Sequence, residues 1–132
     1  MCDLSVSLVL AAEDPFSLAK FYAKAFLGNL SSGQSQSHWI ISRPDGFRLD
    51  IYRPSRFKDK EKKGNALAIC MKSAPSKDPI KTLDELVLRL ESIGGITIGH
   101  ESIENFGVEK WVIDPEGNSF LVIVPSTLDP NF

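Results

Sequence analysis

A chain that repeats a whole strand-and-turn passage is constrained to build the same unit twice. Residues 43 to 55, RPDGFRLDIYRPS, return at 114 to 126 as DPEGNSFLVIVPS. Pro44 corresponds to Pro115, Asp45 to Glu116, Gly46 to Gly117, Pro54 to Pro125 and Ser55 to Ser126, each 71 positions apart. Leu49 and Ile51 line up with Phe120 and Val122, so the period-2 alternation of a strand recurs along with its turn residues. One pair breaks the pattern: Asp50 stands against Leu121.

The first copy opens with SVSLVLA at residues 5 to 11, a strand whose Val6, Leu8 and Leu10 share a face. Asp14 and Pro15 then signal a helix start, and Leu18, Phe21, Tyr22, Ala25 and Phe26 recur at helical spacing up to Gly28. A polar stretch carrying a short strand follows. HWIIS runs as a strand into the Pro44-Asp45-Gly46 turn, and FRLDIYR leaves it with Phe47, Leu49 and Ile51 on one face and Arg48, Asp50 and Tyr52 on the other. The second copy reads NALAICMK as a strand and TLDELVLRLESIGG as a helix, with a Thr82/Glu85 capping box, an apolar stripe of Leu83, Leu86, Val87 and Leu90, and a Gly94-Gly95 stop. ITIGH, EKWVI and SFLVIV are its remaining strands. Trp39 and Trp111 each begin the strand before the turn, one residue out of register. Both copies therefore read β-α-β-β-β.

With 132 residues the chain has the size of one domain, whose modules span about 4–55 and 65–126 around a charged linker at 56–64. We take that linker as solvated, its basic residues offering at most a rim for an anionic ligand. A net charge of −2 carries no nucleic-acid footprint, and no apolar run spans a membrane. Cys2 and Cys70, without a signal segment, read as reduced thiols of a cytoplasmic protein.

One helix covers one face of a four-stranded sheet, so two such modules gain by joining edge to edge around a trough. The paired modules, DPFSLAKFY opening the first helix (Asp14 to Tyr22) and DPEGN before the last strand (Asp114 to Asn118), resemble the vicinal oxygen chelate superfamily of glyoxalase I, the bleomycin-resistance proteins and the extradiol dioxygenases. The resemblance covers about residues 4 to 125. It implies an α+β fold of two tandem β-α-β-β-β modules forming a curved mixed sheet around a trough, helices outside, and a homodimer. It also places the metal ligands of metal-dependent members at Ser7 (or Val6), Asp50, Asn65 (or Ala66) and Leu121.

Only Asp50 is anionic among these, too few donors to repay stripping water from a divalent ion, so we expect no metal and no other cofactor. Asp50 is a weak candidate for a general base, on condition that burial raises its pKa. Ser7, Arg48, Asp50, Tyr52, Asn65, Trp111 and Leu121 are the expected contacts of a small organic ligand, with Trp39 or Trp111 available to stack on it unless they pack in the core. His38 and His100 lie off the ligand positions and read as solvated or structural, while Cys70 reads as an inert buried thiol. His100 with Glu101 and Glu104 follows no metal spacing. The expected function is binding of an amphipathic or aromatic molecule without chemistry. A metal-dependent lyase, isomerase or dioxygenase centred on Asp50, and a module whose trough takes a partner segment, are the alternatives.

Overall fold

The computed structural model describes residues 5–54 and 67–128. Asn65, Ala66, Cys2 and the linker 56–64 fall outside the described residues. The chain divides into two compact units, Met1–Lys60 and Glu61–Phe132. Among the described residues no helix is long and apolar enough to cross a membrane.

The first unit runs β1 (Leu8–Ala11), α1 (Pro15–Ala25), β2 (Asn29–Ser32), β3 (His38–Ser42) and β4 (Arg48–Tyr52), in the expected order. Its sheet is ordered β1-β4-β3-β2, with β1 parallel to β4 and the other pairs antiparallel. The Asp14 carboxylate caps α1, accepting from the Ser17 backbone N–H, and Pro15 follows inside the first turn. Leu18, Phe21, Tyr22 and Ala25 of the helix and Ile41, Leu49 and Ile51 of the sheet are all buried, closing one face of the sheet under α1. Each large side chain so buried contributes about 1.5–3 kcal/mol. Tyr22 meets Phe21 and Phe26 at 5.1 Å between ring centroids.

The second unit runs β5 (Cys70–Lys72), α2 (Pro79–Ser92), β6 (Ile96–Thr97), β7 (Ser102–Glu104), β8 (Gly107–Ile113) and β9 (Ser119–Pro125). Its main path is β5-β9-β8-β6, with β5 parallel to β9. Leu83, Val87 and Leu90 of α2 are buried, as are Val112, Phe120 and Val122 of the sheet, so α2 takes the same kind of face that α1 takes.

Two expectations need correcting here. The strand placed on ITIGH is interrupted: Gly99 sits in the left-handed region (φ 72), so β6 stops at Thr97 and pairing with β8 resumes as β7. The helix begins at Pro79 rather than at a Thr82 capping box. Asp78 is the N-cap, accepting from the Lys81 N–H, while the Thr82 hydroxyl lies 2.7 Å from that of Ser76. A carboxylate before proline is the better cap because the proline has no N–H to orphan and a preset φ.

Candidate functional site

Each sheet keeps one face that its own helix leaves uncovered, and period-2 alternation decides what stands there. On β4 the residues that alternate with the buried Leu49 and Ile51 are Arg48, Asp50 and Tyr52. Opposite them across β3 stand Ser42, Ile40 and His38, and Val9 of β1 is the partner of Asp50 on its other side. Partners directly opposite in a sheet share a face.

Asp50 is the centre of this face and is only 6% exposed. Arg48 clamps it side-on: Nε donates to Oδ2 at 3.0 Å and Nη2 donates to Oδ1 at 3.0 Å. His38 Nε2 lies 2.7 Å from Oδ1, and Ser7 adds a side-chain hydrogen bond. The other ring nitrogen of His38, Nδ1, accepts the Gln34 backbone N–H at 3.1 Å. That fixes the neutral tautomer with its proton on Nε2, donated to Asp50. The ring packs close to Gly33, where an added Cβ would lie 2.2 Å from Nδ1, so a glycine is needed for this close approach.

The hydrogen bonds from Arg48, opposed by burial and reinforced by Ser7 and His38, hold the Asp50 carboxyl well below the usual carboxylate range. The condition under which Asp50 was a candidate base is therefore reversed: the acid is buried, but its donors outweigh the desolvation. Of the two roles expected for His38, solvated or structural, the contact with Asp50 gives it a structural one. The four positions implied for a metal now have a measurable chemistry. Ser7 and Asp50 meet, Asn65 lies outside the described residues, and Leu121 has no donor. The oxygens of Asp50 are already engaged by a guanidinium, an imidazole N–H and a hydroxyl, so this donor set does not fit a divalent ion. Among the described residues no three His, Cys, Asp or Glu side chains gather as a metal group, and His100, Glu101 and Glu104 do not form one.

The uncovered face of the second sheet has the opposite character. Leu121 stands between Cys70 on β5 and Trp111 on β8, with Ile123 and Ile113 on the same face. Trp111 is 43% exposed. Trp39, by contrast, points under α1, its ring centroid 4.6 Å from that of Phe16. The one-residue offset between the two tryptophans explains this, because a shift of one position along a strand moves a side chain to the other face. Cys70 is exposed rather than buried, and partial burial pushes its thiol pKa up.

The DPEGN passage is a built turn. Asp114, 1% exposed, accepts from the backbone N–H groups of Glu116 and Asn118 and from the Asn118 amide, and Gly117 takes a left-handed φ of 92°. In the first unit Asp45 plays the capping part, accepting from the Phe47 N–H with Arg43 at 3.0 Å.

A chain of two β-α-β-β-β units with these turns is an α+β protein of the paired-module class. Its fold is glyoxalase-like, as comparison with solved structures shows. A glyoxalase/bleomycin resistance protein/dioxygenase family enzyme from Burkholderia phytofirmans PsJN is similar in structure, with a TM-score of 0.69, 15% identity, and coverage of 88% of this chain and 94% of that one. A fosfomycin resistance protein from Listeria monocytogenes matches with a TM-score of 0.67, 15% identity and coverage of 96% and 94%. A lactoylglutathione lyase from Agrobacterium tumefaciens matches with a TM-score of 0.60, 18% identity and coverage of 92% of each chain. No protein-family model and no curated protein matches the sequence.

Proposed function

We propose that this protein binds a small amphipathic or aromatic molecule on its uncovered sheet faces, with no metal and no chemical change to the ligand. Ser7, Arg48, Asp50 and Tyr52 supply the polar contacts on the first unit, and on the second unit Trp111 and Leu121 offer an aromatic and apolar surface of their own. The observation that carries the proposal is the state of Asp50. At the one anionic position implied for a metal ligand, the carboxylate is spent on Arg48, His38 and Ser7. The same network leaves little to move a proton: Asp50 is a weakened base and both ring nitrogens of His38 are engaged. We include in the proposal a homodimer and a cytoplasmic location.

Two measurements test it. Protein purified without chelator is assayed for metal, and small aromatic and amphipathic molecules are screened by thermal shift with product analysis. The expected result is no stoichiometric ion and stabilisation by a compound recovered intact, about 2.7 kcal/mol at a hundredfold excess over Kd. A stoichiometric divalent ion that disappears in Asp50→Ala, or turnover of a bound compound, would establish the enzyme instead. Absence of stabilisation by any small molecule would favour a partner segment as the occupant.

A further inference from the structure

We infer that the group this protein recognises on its ligand is an oxyanion, a carboxylate in the first instance, held on the free edge of Arg48 within the first unit. The inference rests on the proposed binding function and narrows it to a charge and a place.

The Arg48–Asp50 pair is lopsided. The Asp50 side chain is 9% exposed while that of Arg48 is 43% exposed, so the acid is sunk and the outer part of the cation is open. A guanidinium carries five N–H donors in a fixed fork. Asp50 takes one on Nε and one on Nη2. Three remain, one on Nη2 and two on Nη1, and the end-on edge of the group presents one from each nitrogen in parallel. That edge matches the two oxygens of a carboxylate. Asp50 orients it: with its side-on edge clamped, the guanidinium loses little freedom when a second oxyanion docks on the other edge.

The rest of the face argues for the same sign of charge. His38 offers no lone pair, since Nδ1 accepts from Gln34 and Nε2–H is directed at Asp50. Among the described residues on β1 to β4 of that face, Asp50 is the sole acid, and it is already paired. An ammonium ligand would find no unpaired carboxylate there. The body of the ligand has apolar contacts beside the cluster: Val9 and Ile40 flank Asp50 as its register partners on either side, and Tyr52 follows on the same face, 37% exposed. An aromatic acid fits both features.

The test uses the full chain with benzoate, phenylphosphonate, benzamide and benzylamine at constant ionic strength. Dissociation constants and the side-chain nitrogen signals of Arg48 are followed by NMR. Benzoate is expected to bind about tenfold or more tightly than benzamide, to shift the Arg48 signals, and to lose most of that advantage in Arg48→Lys, which keeps the charge and loses the fork. Benzylamine is expected not to bind. Phenylphosphonate binding more tightly than benzoate would overturn the choice of carboxylate. Benzamide binding as tightly as benzoate, or benzoate binding with the Arg48 signals unmoved, would overturn the inference and leave small-molecule binding standing. Binding of none of the four would overturn it as well, and the broader screen would then decide the fate of the binding proposal separately.

Discussion

Gly33→Ala is the perturbation that most directly reports whether the Asp50 network is held as described. An added Cβ would lie 2.2 Å from His38 Nδ1 and 2.3 Å from Cγ, contacts that no side-chain carbon tolerates, so the imidazole must leave its place. Two hydrogen bonds go with it, Gln34 N–H to Nδ1 at 3.1 Å and Nε2–H to Asp50 at 2.7 Å. A neutral hydrogen bond contributes about 0.5–1.5 kcal/mol and one to a charged group about 1.5–3 kcal/mol. The His38 side chain is 21% exposed, which favours the lower ends of both ranges. Alanine also restricts the unfolded chain, returning about 0.4–1 kcal/mol. The net expected loss is about 1–2 kcal/mol. Urea denaturation checks it, with Trp39 fluorescence in a Trp111→Phe background reporting on the first unit. A slope of about 1–3 kcal/mol per molar urea converts the loss into a midpoint lower by roughly 0.3–2 M. Because Gly33 acts through His38, His38→Ala in the Gly33→Ala background should cost little more than either change alone. Unaltered stability of Gly33→Ala, or losses that simply add in the double variant, would refute the close packing of ring on glycine.

Three further outcomes are expected. The folded-state pKa of Asp50 is lowered from the ordinary 3.8, so its stabilisation is fully present above that value and is lost as pH falls below it; the stability gap between wild type and Asp50→Asn, followed by denaturation, should therefore hold constant above about pH 5 and narrow as pH falls from about 4 to about 2, and a gap that widens on acidification would contradict the network. Asp78→Ala should cost about 1 kcal/mol as a lost helix cap while Glu85→Ala costs within about 0.5 kcal/mol, the reverse of what a Thr82/Glu85 box demands, and chemical denaturation of the two variants decides. Asp114→Ala should cost about 1–2 kcal/mol, because it leaves the part-buried N–H groups of Glu116 and Asn118 without their acceptor, yet leave benzoate affinity within about twofold, a split that denaturation and ligand titration measure together.

Much of this architecture is legible in the chain because alternation and turn residues act locally. Leu49, Ile51, Phe120 and Val122 announce their faces by period 2, and all four are buried under a helix. The helix caps show where counting by repeats misleads. Asp14-Pro15 and Asp78-Pro79 are the same device, but 64 positions apart rather than 71, so aligning the copies at their last strands hides it. The pairing of His38 with Asp50 escapes a local reading for a different reason. Twelve residues separate them, and only the register of the β3–β4 hairpin joins them. That register was recoverable: counting outward from the Pro44-Asp45-Gly46 turn puts Ser42 opposite Arg48, Ile40 opposite Asp50 and His38 opposite Tyr52, one diagonal step from Asp50. The burial of Asp50 and the packing of Gly33 on the imidazole depend on side-chain directions from several segments, which no local pattern contains.

The mismatch of Asp50 with Leu121 follows from how selection for folding acts on a duplicated sheet. The helix-covered positions cannot diverge in polarity, since Ile41, Leu49 and Ile51 and their counterparts Val112, Phe120 and Val122 must all fill a buried layer. The uncovered positions carry no such requirement within their own unit. There the copies have separated completely: Arg48, Asp50 and His38 correspond to Ser119, Leu121 and Glu109, while Ile40 corresponds to Trp111. A buried carboxylate is tolerable in the first copy only because Arg48, His38 and Ser7 came with it, for an unpaired charge at that depth would cost several kcal/mol. Restoring a carboxylate at Leu121, in a setting of Cys70, Trp111 and Ile123, would meet none of those donors. Leu121→Glu should therefore lose stability without acquiring metal affinity, and measuring both separates a site that lacks one ligand from a face that has become apolar throughout.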